Sequence, residues 1–153
     1  MDDQGGDSVS VWRIGGPALV VGYAIPTVVG VSALTSWAGW VSSPGVDAAR
    51  TAGLWTGLTA GIALFLWWAV LRVRLEVGPA GIVAVNPWGT HRLALNEVAS
   101  VRLGAWGAEF HHGDGFKTTA YALSEMAAGT SQDQRFAELL AVLQSNPDFA
   151  PRA

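Results

Sequence analysis

Polar and apolar positions divide the chain into two parts. From Ile14 to Val46 there is no Asp, Glu, Lys, Arg or His, and the same holds from Thr51 to Leu71. From Arg72 onward charged residues return at an ordinary spacing. A helix needs about 20 apolar residues to cross ~30 Å of hydrocarbon. The run Thr51–Leu71 has that length and is flanked by Arg50 and Arg72. The run from Ile14 is longer than one crossing requires, so its spanning part is placed at about residues 17–37, with the remainder tilted or interfacial. Pro17 suits a first helical turn. Pro26 falls mid-span, where it removes a backbone donor but is tolerated in a membrane helix. Residues 14–71 therefore read as a two-helix transmembrane hairpin, with spans at about 17–37 and 51–71. Residues 1–13 read as a disordered N-terminus.

After Leu71 the period changes to two. Leu71-Arg72-Val73-Arg74-Leu75-Glu76-Val77 alternates apolar and charged residues, the pattern of a half-buried strand. Gly78-Pro79-Ala80-Gly81 is a turn cluster, Ile82, Val83 and Val85 follow, and Asn86-Pro87-Trp88-Gly89 breaks the run. Further strands are expected at Arg92–Leu95, Val98–Leu103 and Ala105–His111, and then Phe116–Leu123 after the turn His112-Gly113-Asp114-Gly115. The sum is an antiparallel meander of about six strands. Residues 131–145 then carry Phe136, Leu139, Leu140 and Leu143 at helical spacing, with Ser131 or Thr130 as cap and Asn146-Pro147 as stop. The four apolar residues are expected to bury against Ile82, Val98, Val101 and Phe116. Residues 72–146 thus form a small β domain closed by a C-terminal helix, and 147–153 are a tail. The fold class is α+β.

The hairpin carries further signals. Trp12, Trp37, Trp40, Trp55, Trp67 and Trp68 all fall near the proposed span ends, where an indole is best accommodated. Arg13 precedes the first span and Arg72 and Arg74 follow the second, whereas the loop Ser42–Arg50 holds only Arg50. This balance places both termini in the cytoplasm. Trp37, Trp40, Trp67, Trp68, Arg13, Arg72 and Arg74 are therefore the expected interface anchors. Small residues recur every four positions at Ala18, Gly22, Pro26 and Gly30, and again at Ala49, Gly53, Gly57 and Gly61. Such faces allow close helix packing in lipid. They serve either the hairpin itself or a homodimer through the second span. A cleaved signal peptide is the alternative for the first span. The acidic region Met1–Arg13 and the length of the apolar run speak against it.

Composition narrows the function. The formal net charge is −3, which offers no broad footprint for nucleic acid. The absence of cysteine removes disulfides, thiol nucleophiles and Cys-ligated metals. His91, Glu109, His111, His112 and Asp114 are the strongest polar candidates, but adjacent histidines on a strand point to opposite faces. A metal site needs three or four converging ligands, so no metal or cofactor is expected. There is no Gly-x-Ser-x-Gly elbow, P-loop or dinucleotide fingerprint. No ionisable group lies within the spans, as an ion pathway would ordinarily require.

The order of elements carries a resemblance. A membrane hairpin followed by strands and one closing helix resembles small actinobacterial membrane proteins with a bacterial pleckstrin-homology-like (PH-like) domain. Leu75-Glu76-Val77-Gly78-Pro79-Ala80-Gly81-Ile82 is similar to that family's opening strand–turn–strand, and Leu93-Ala94-Leu95-Asn96-Glu97-Val98-Ala99-Ser100-Val101 to its next segment. The family commonly has Trp where this chain has Asn96. The resemblance covers Leu71 to Ser145. It implies a non-enzymatic integral membrane protein that presents a PH-like interaction domain at the cytoplasmic face and binds a membrane or cytoplasmic protein. Trp88 and Trp106 are the expected contact residues. The alternative is a module for anionic lipid or a small ligand. However, four basic residues oppose seven acidic ones between Leu75 and Ser145, and anionic lipid calls for a clustered positive patch.

Overall fold

The structure, a computed structural model, describes residues 8–149. They form two compact units. One is the helical hairpin, residues 19–71. The other joins the residues up to Ala18 with those from Arg72 onward.

In the hairpin, helix α1 spans Pro17–Ser42 and helix α2 spans Val46–Leu66, continued by one π-helical turn at Trp67–Leu71. The connection is residues 43–45, shorter than the expected loop, because α2 starts ahead of Arg50 and carries Asp47 and Arg50 in its opening turns. At 1.5 Å per residue α1 is about 39 Å long, more than the hydrocarbon thickness, so charged and interfacial residues fit within the helices. Both are long and apolar enough to cross a membrane. Most of their large side chains, including Val20, Val28, Leu34, Leu54 and Leu64, are exposed. That is unlike the core helix of a soluble protein.

The second unit is two antiparallel sheets, β1-β2-β3-β4 and β5-β6-β7, with helices at the end of the chain. Its seven strands are β1 (Ser10–Arg13), β2 (Arg74–Gly78), β3 (Gly81–Asn86), β4 (Gly89–Leu93), β5 (Val98–Gly104), β6 (Gly107–His112) and β7 (Lys117–Ala120). The α+β class is as expected, but the strand count is one higher. The extra strand comes from the N-terminal segment that reads as disordered. Residues 10–13 pair with β2 in register Ser10↔Val77 to Arg13↔Arg74, and residues 1–7 lie outside the described chain. Trp12 is correspondingly a core residue, 7% exposed.

One apolar core unites the unit. Leu75 and Val77 from β2, Ile82 from β3, Phe110 from β6 and Leu123 are fully buried. Alternation on β2 puts Arg74 and Glu76 on the other face, where they form an ion pair. Two hairpins repeat one device. Gly78↔Gly81 encloses Pro79-Ala80, and Gly104↔Gly107 encloses Ala105-Trp106. Gly81 and Gly107 have φ near +120°, and a Cβ there would collide with the carbonyls of Leu93 and Ala120 respectively. Glycine is thus required at both. The second turn also explains why β6 starts at Gly107, later than the alternation suggests.

The return strand β7 is short. The chain leaves it through a 3-10 turn at Tyr121–Leu123 into helix α3 (Glu125–Ala128), capped by the Ser124 hydroxyl accepting from Ala127 N at 3.2 Å. Helix α4 (Gln132–Ser145) follows. Ser131 precedes it, but its hydroxyl donates back to Ala128 O and does not cap. Leu139 and Leu143 are fully buried and Phe136 packs partly on the core, as does Val142. Leu140 is only half-buried, and Phe116 is 74% exposed at the β6–β7 turn. Helical geometry explains the first difference: the buried stripe runs through 136, 139 and 143 and turns toward 142, leaving 140 at its margin. Phe149 also packs on the core, so the expected tail begins later than residue 147.

Candidate interaction surface

The exposed apolar residues of the β unit follow from turn geometry. β3 and β4 pair as far as Asn86↔Gly89, so Pro87-Trp88 forms the tip of the hairpin. At this two-residue tip Trp88 is 78% exposed. Trp106 occupies the equivalent tip between β5 and β6 and is 64% exposed. Phe116 stands in the longer β6–β7 turn, where Asp114 Oδ1 accepts from Phe116 N at 3.1 Å and Gly115 takes φ +89°. Asp114 is thereby engaged in turn structure. Met126 on α3 is likewise exposed, as are Val9 and Val11 at the edge formed by β1.

The buried polar residue that shapes this surface is Asn86. Its Nδ2 donates to Thr119 O at 2.7 Å and its Oδ1 accepts from Tyr121 N at 3.2 Å. One side chain thereby ties the end of β3 to the end of β7 and satisfies two backbone groups that neither sheet pairs. From the sequence alone Asn86 reads only as part of a breaker. Trp12 is the other residue missed, hidden because a four-residue strand gives too short an alternation to detect.

The outer face of β5–β6–β7 is polar. Lys117 Nζ donates to Glu109 Oε1 at 2.9 Å, and His111 Nε2 lies 3.5 Å from Glu109 Oε2. The hydrogen bond from Lys117, aided by the charges of Lys117 and His111, holds the Glu109 carboxyl below its ordinary value against the opposing effect of desolvation. His112 diverges from His111 and approaches Thr118 Oγ1 at 3.1 Å. It lines a cleft of about 510 Å³ with Arg92, Asn96, Glu97 and Asp114. Two carboxylates beside one guanidinium and one imidazole make this cleft mixed in sign. Among the described residues no three His, Asp or Glu side chains converge as metal ligands. His91 lies exposed on β4, apart from these groups.

In the hairpin the small residues divide into two sets. Cβ positions at Gly22 and Gly30 face Leu71 (3.3 Å) and Thr59 (3.6 Å) across the helix pair. Nothing described lies within 4 Å of the corresponding positions at Gly53, Gly57 and Gly61. Trp37 Nε1 donates to Thr56 Oγ1 at 2.9 Å, linking α1 to α2, and packs edge-on against Trp40. Phe65 meets Trp68 at 6.3 Å between ring centres, and Trp67 is exposed. Among the expected arginine anchors, Arg13 is exposed with its carbonyl held by Arg135 at 2.6 Å, Arg74 is paired with Glu76, and Arg72 is half-buried. Comparison of the chain with protein-family models, with curated proteins and with solved structures gives no match.

Proposed function

We propose that this protein is a non-enzymatic, membrane-anchored interaction module. In this reading α1 and α2 anchor it in a cell membrane with both termini cytoplasmic, and a PH-like domain binds a membrane or cytoplasmic protein at the inner face. The four-stranded sheet, three-stranded sheet and final helix support the PH-like assignment. The excess of Arg13, Arg72 and Arg74 over Arg50 supports the orientation.

The observation that carries the reading is the set of large apolar side chains held out on turns, Trp88 and Trp106 foremost. Aromatic residues of this kind anchor protein interfaces. Photo-crosslinking from positions 88 and 106 of the full-length chain in native membranes tests it. A discrete crosslinked protein that disappears in the Trp88→Ser or Trp106→Ser background is expected. Crosslinks to lipid alone would shift the reading to the anionic-lipid alternative, which the mixed-sign cleft disfavours. The open Gly53, Gly57 and Gly61 face of α2 supports a second copy of the chain as a further partner within the bilayer.

A further inference from the structure

The β unit is discontinuous in sequence. β1 ends at Arg13, the rest of the unit resumes at Arg72, and both long apolar helices lie between. β1 is not an accessory to the unit. It pairs with β2 over four residues and contributes Trp12 to the common core. Two more hydrogen bonds fasten the segment to the last part of the chain: Gly15 N donates to Ala127 O at 3.0 Å, and Arg135 Nη2 donates to Arg13 O at 2.6 Å. Ile14 packs on the same core. Removing β1 would open β2 as a bare edge and uncover the side of the core that Trp12 closes.

We propose that the hairpin acts as an insertion checkpoint: the β domain, and with it the surface bearing Trp88 and Trp106, forms only when both helices have crossed the membrane. The inference rests on the reading of the hairpin as membrane-spanning. An even number of crossings returns β2 to the side on which β1 waits. A single crossing leaves the two strands on opposite sides, and no pairing can occur through hydrocarbon. The hairpin also brings its own ends together, since Gly22 near the start of α1 meets Leu71 at the end of the α2 segment. The loop between β1 and β2 is thus closed by helix packing, without the entropy of a flexible chain. Within the helical unit the connection at 43–45 is three residues long, and within the β unit Arg13 pairs with Arg74.

The test uses the full chain, which has no cysteine of its own. Single cysteines are introduced as Ser8→Cys, Ser43→Cys and Gln134→Cys and labelled with a membrane-impermeant maleimide. Positions 8 and 134 are expected on one side and 43 on the other. Deletion of residues 17–45 then removes one crossing and keeps every residue of the β strands and core. In that chain positions 8 and 134 should label from opposite sides. Protease should then cleave the part after residue 72 at least about tenfold faster, in proportion to the larger population of open chains. Deletion of residues 17–71 across a short Gly-Ser linker reunites the strands and should restore protection. Equal protection in the single-span chain, with split labelling, would overturn the proposal. So would loss of protection in the chain without either helix. If positions 8 and 134 stay on the same side in the single-span chain, the membrane reading itself fails and the checkpoint with it.

Discussion

The hairpin and the β domain use the same kinds of apolar residue in opposite ways. Among the described large apolar side chains of α1 and α2, Leu66 is buried, while Val20, Val28, Leu34, Leu54, Leu64 and Phe65 face outward. In the domain Leu75, Ile82, Phe110, Leu123, Leu139 and Leu143 are sealed in, while charged residues and a few turn aromatics face outward. Two helices can bury only the stripe along which they touch. The remaining apolar surface belongs to two helices long and apolar enough to cross a membrane. Seven strands and a helix enclose a volume, so the domain supplies its own apolar interior. What differs between the two regions is the number of layers available to cover each side chain, more than the hydrophobicity of the residues.

The largest effect that would break this comparison comes from placing a charge where each region is driest. Leu139→Asp puts a carboxylate among fully buried neighbours and is expected to unfold the domain, at a cost of more than about 4 kcal/mol. The hairpin should remain in the membrane fraction after alkaline extraction, because Leu139 belongs to the other compact unit. Limited proteolysis and extraction of the same sample read both regions at once, and release of the hairpin would show that the two are not independent. Next in size is Asn86→Ala. It strands Thr119 O and Tyr121 N, and a loss of about 2 kcal/mol is expected. Denaturant midpoints of the detergent-solubilised protein would check it, and a change below ~0.5 kcal/mol would show that water replaces the side chain.

Gly57→Ile addresses the hairpin. Because space is open around Gly57, the substitution should leave folding yield unchanged, within ~0.5 kcal/mol. It should reduce crosslinking between copies if α2 packs against a second chain, and unchanged crosslinking in the folded variant would remove the homodimer. The smallest effect belongs to Glu109. Its carboxyl is held below the usual value of 4.5 by Lys117, so its contribution is complete above that value. The contribution fades as pH falls through the lower native value. Lys117→Met should reduce the shift, leaving the smaller effect of His111, as followed by the NMR titration of the Glu109 carboxyl. Solvent exposure of the pair keeps the influence on stability slight.

Much of the architecture was legible in the sequence. The two apolar runs, the period-two alternation from Leu75, the turn at Gly78–Gly81 and the stripe Phe136, Leu139 and Leu143 all rely on local periodicity, which a sequence displays directly. Three features escaped. β1 is four residues long, and its partner is separated from it by the whole hairpin. Phe116 looks like a core residue by type, but it sits in a turn whose geometry is set by Asp114 and Gly115. Asn86 looks like a breaker, and its role appears only when β7 passes beside it. The proposed contact residues Trp88 and Trp106 were marked by their neighbouring Pro and Gly, which place aromatics at hairpin tips.

The sequence by itself determined two apolar helices, a half-polar β segment and an amphipathic last helix, because hydrophobic periodicity is a property of neighbouring residues. Only the tertiary structure decided that the N-terminal strand belongs to the domain beyond the hairpin. Strand pairing joins backbone groups irrespective of their separation along the chain. Trp12 next to an apolar helix reads equally well as an interface anchor or as a core residue. Its burial against strands that follow the hairpin settles which it is.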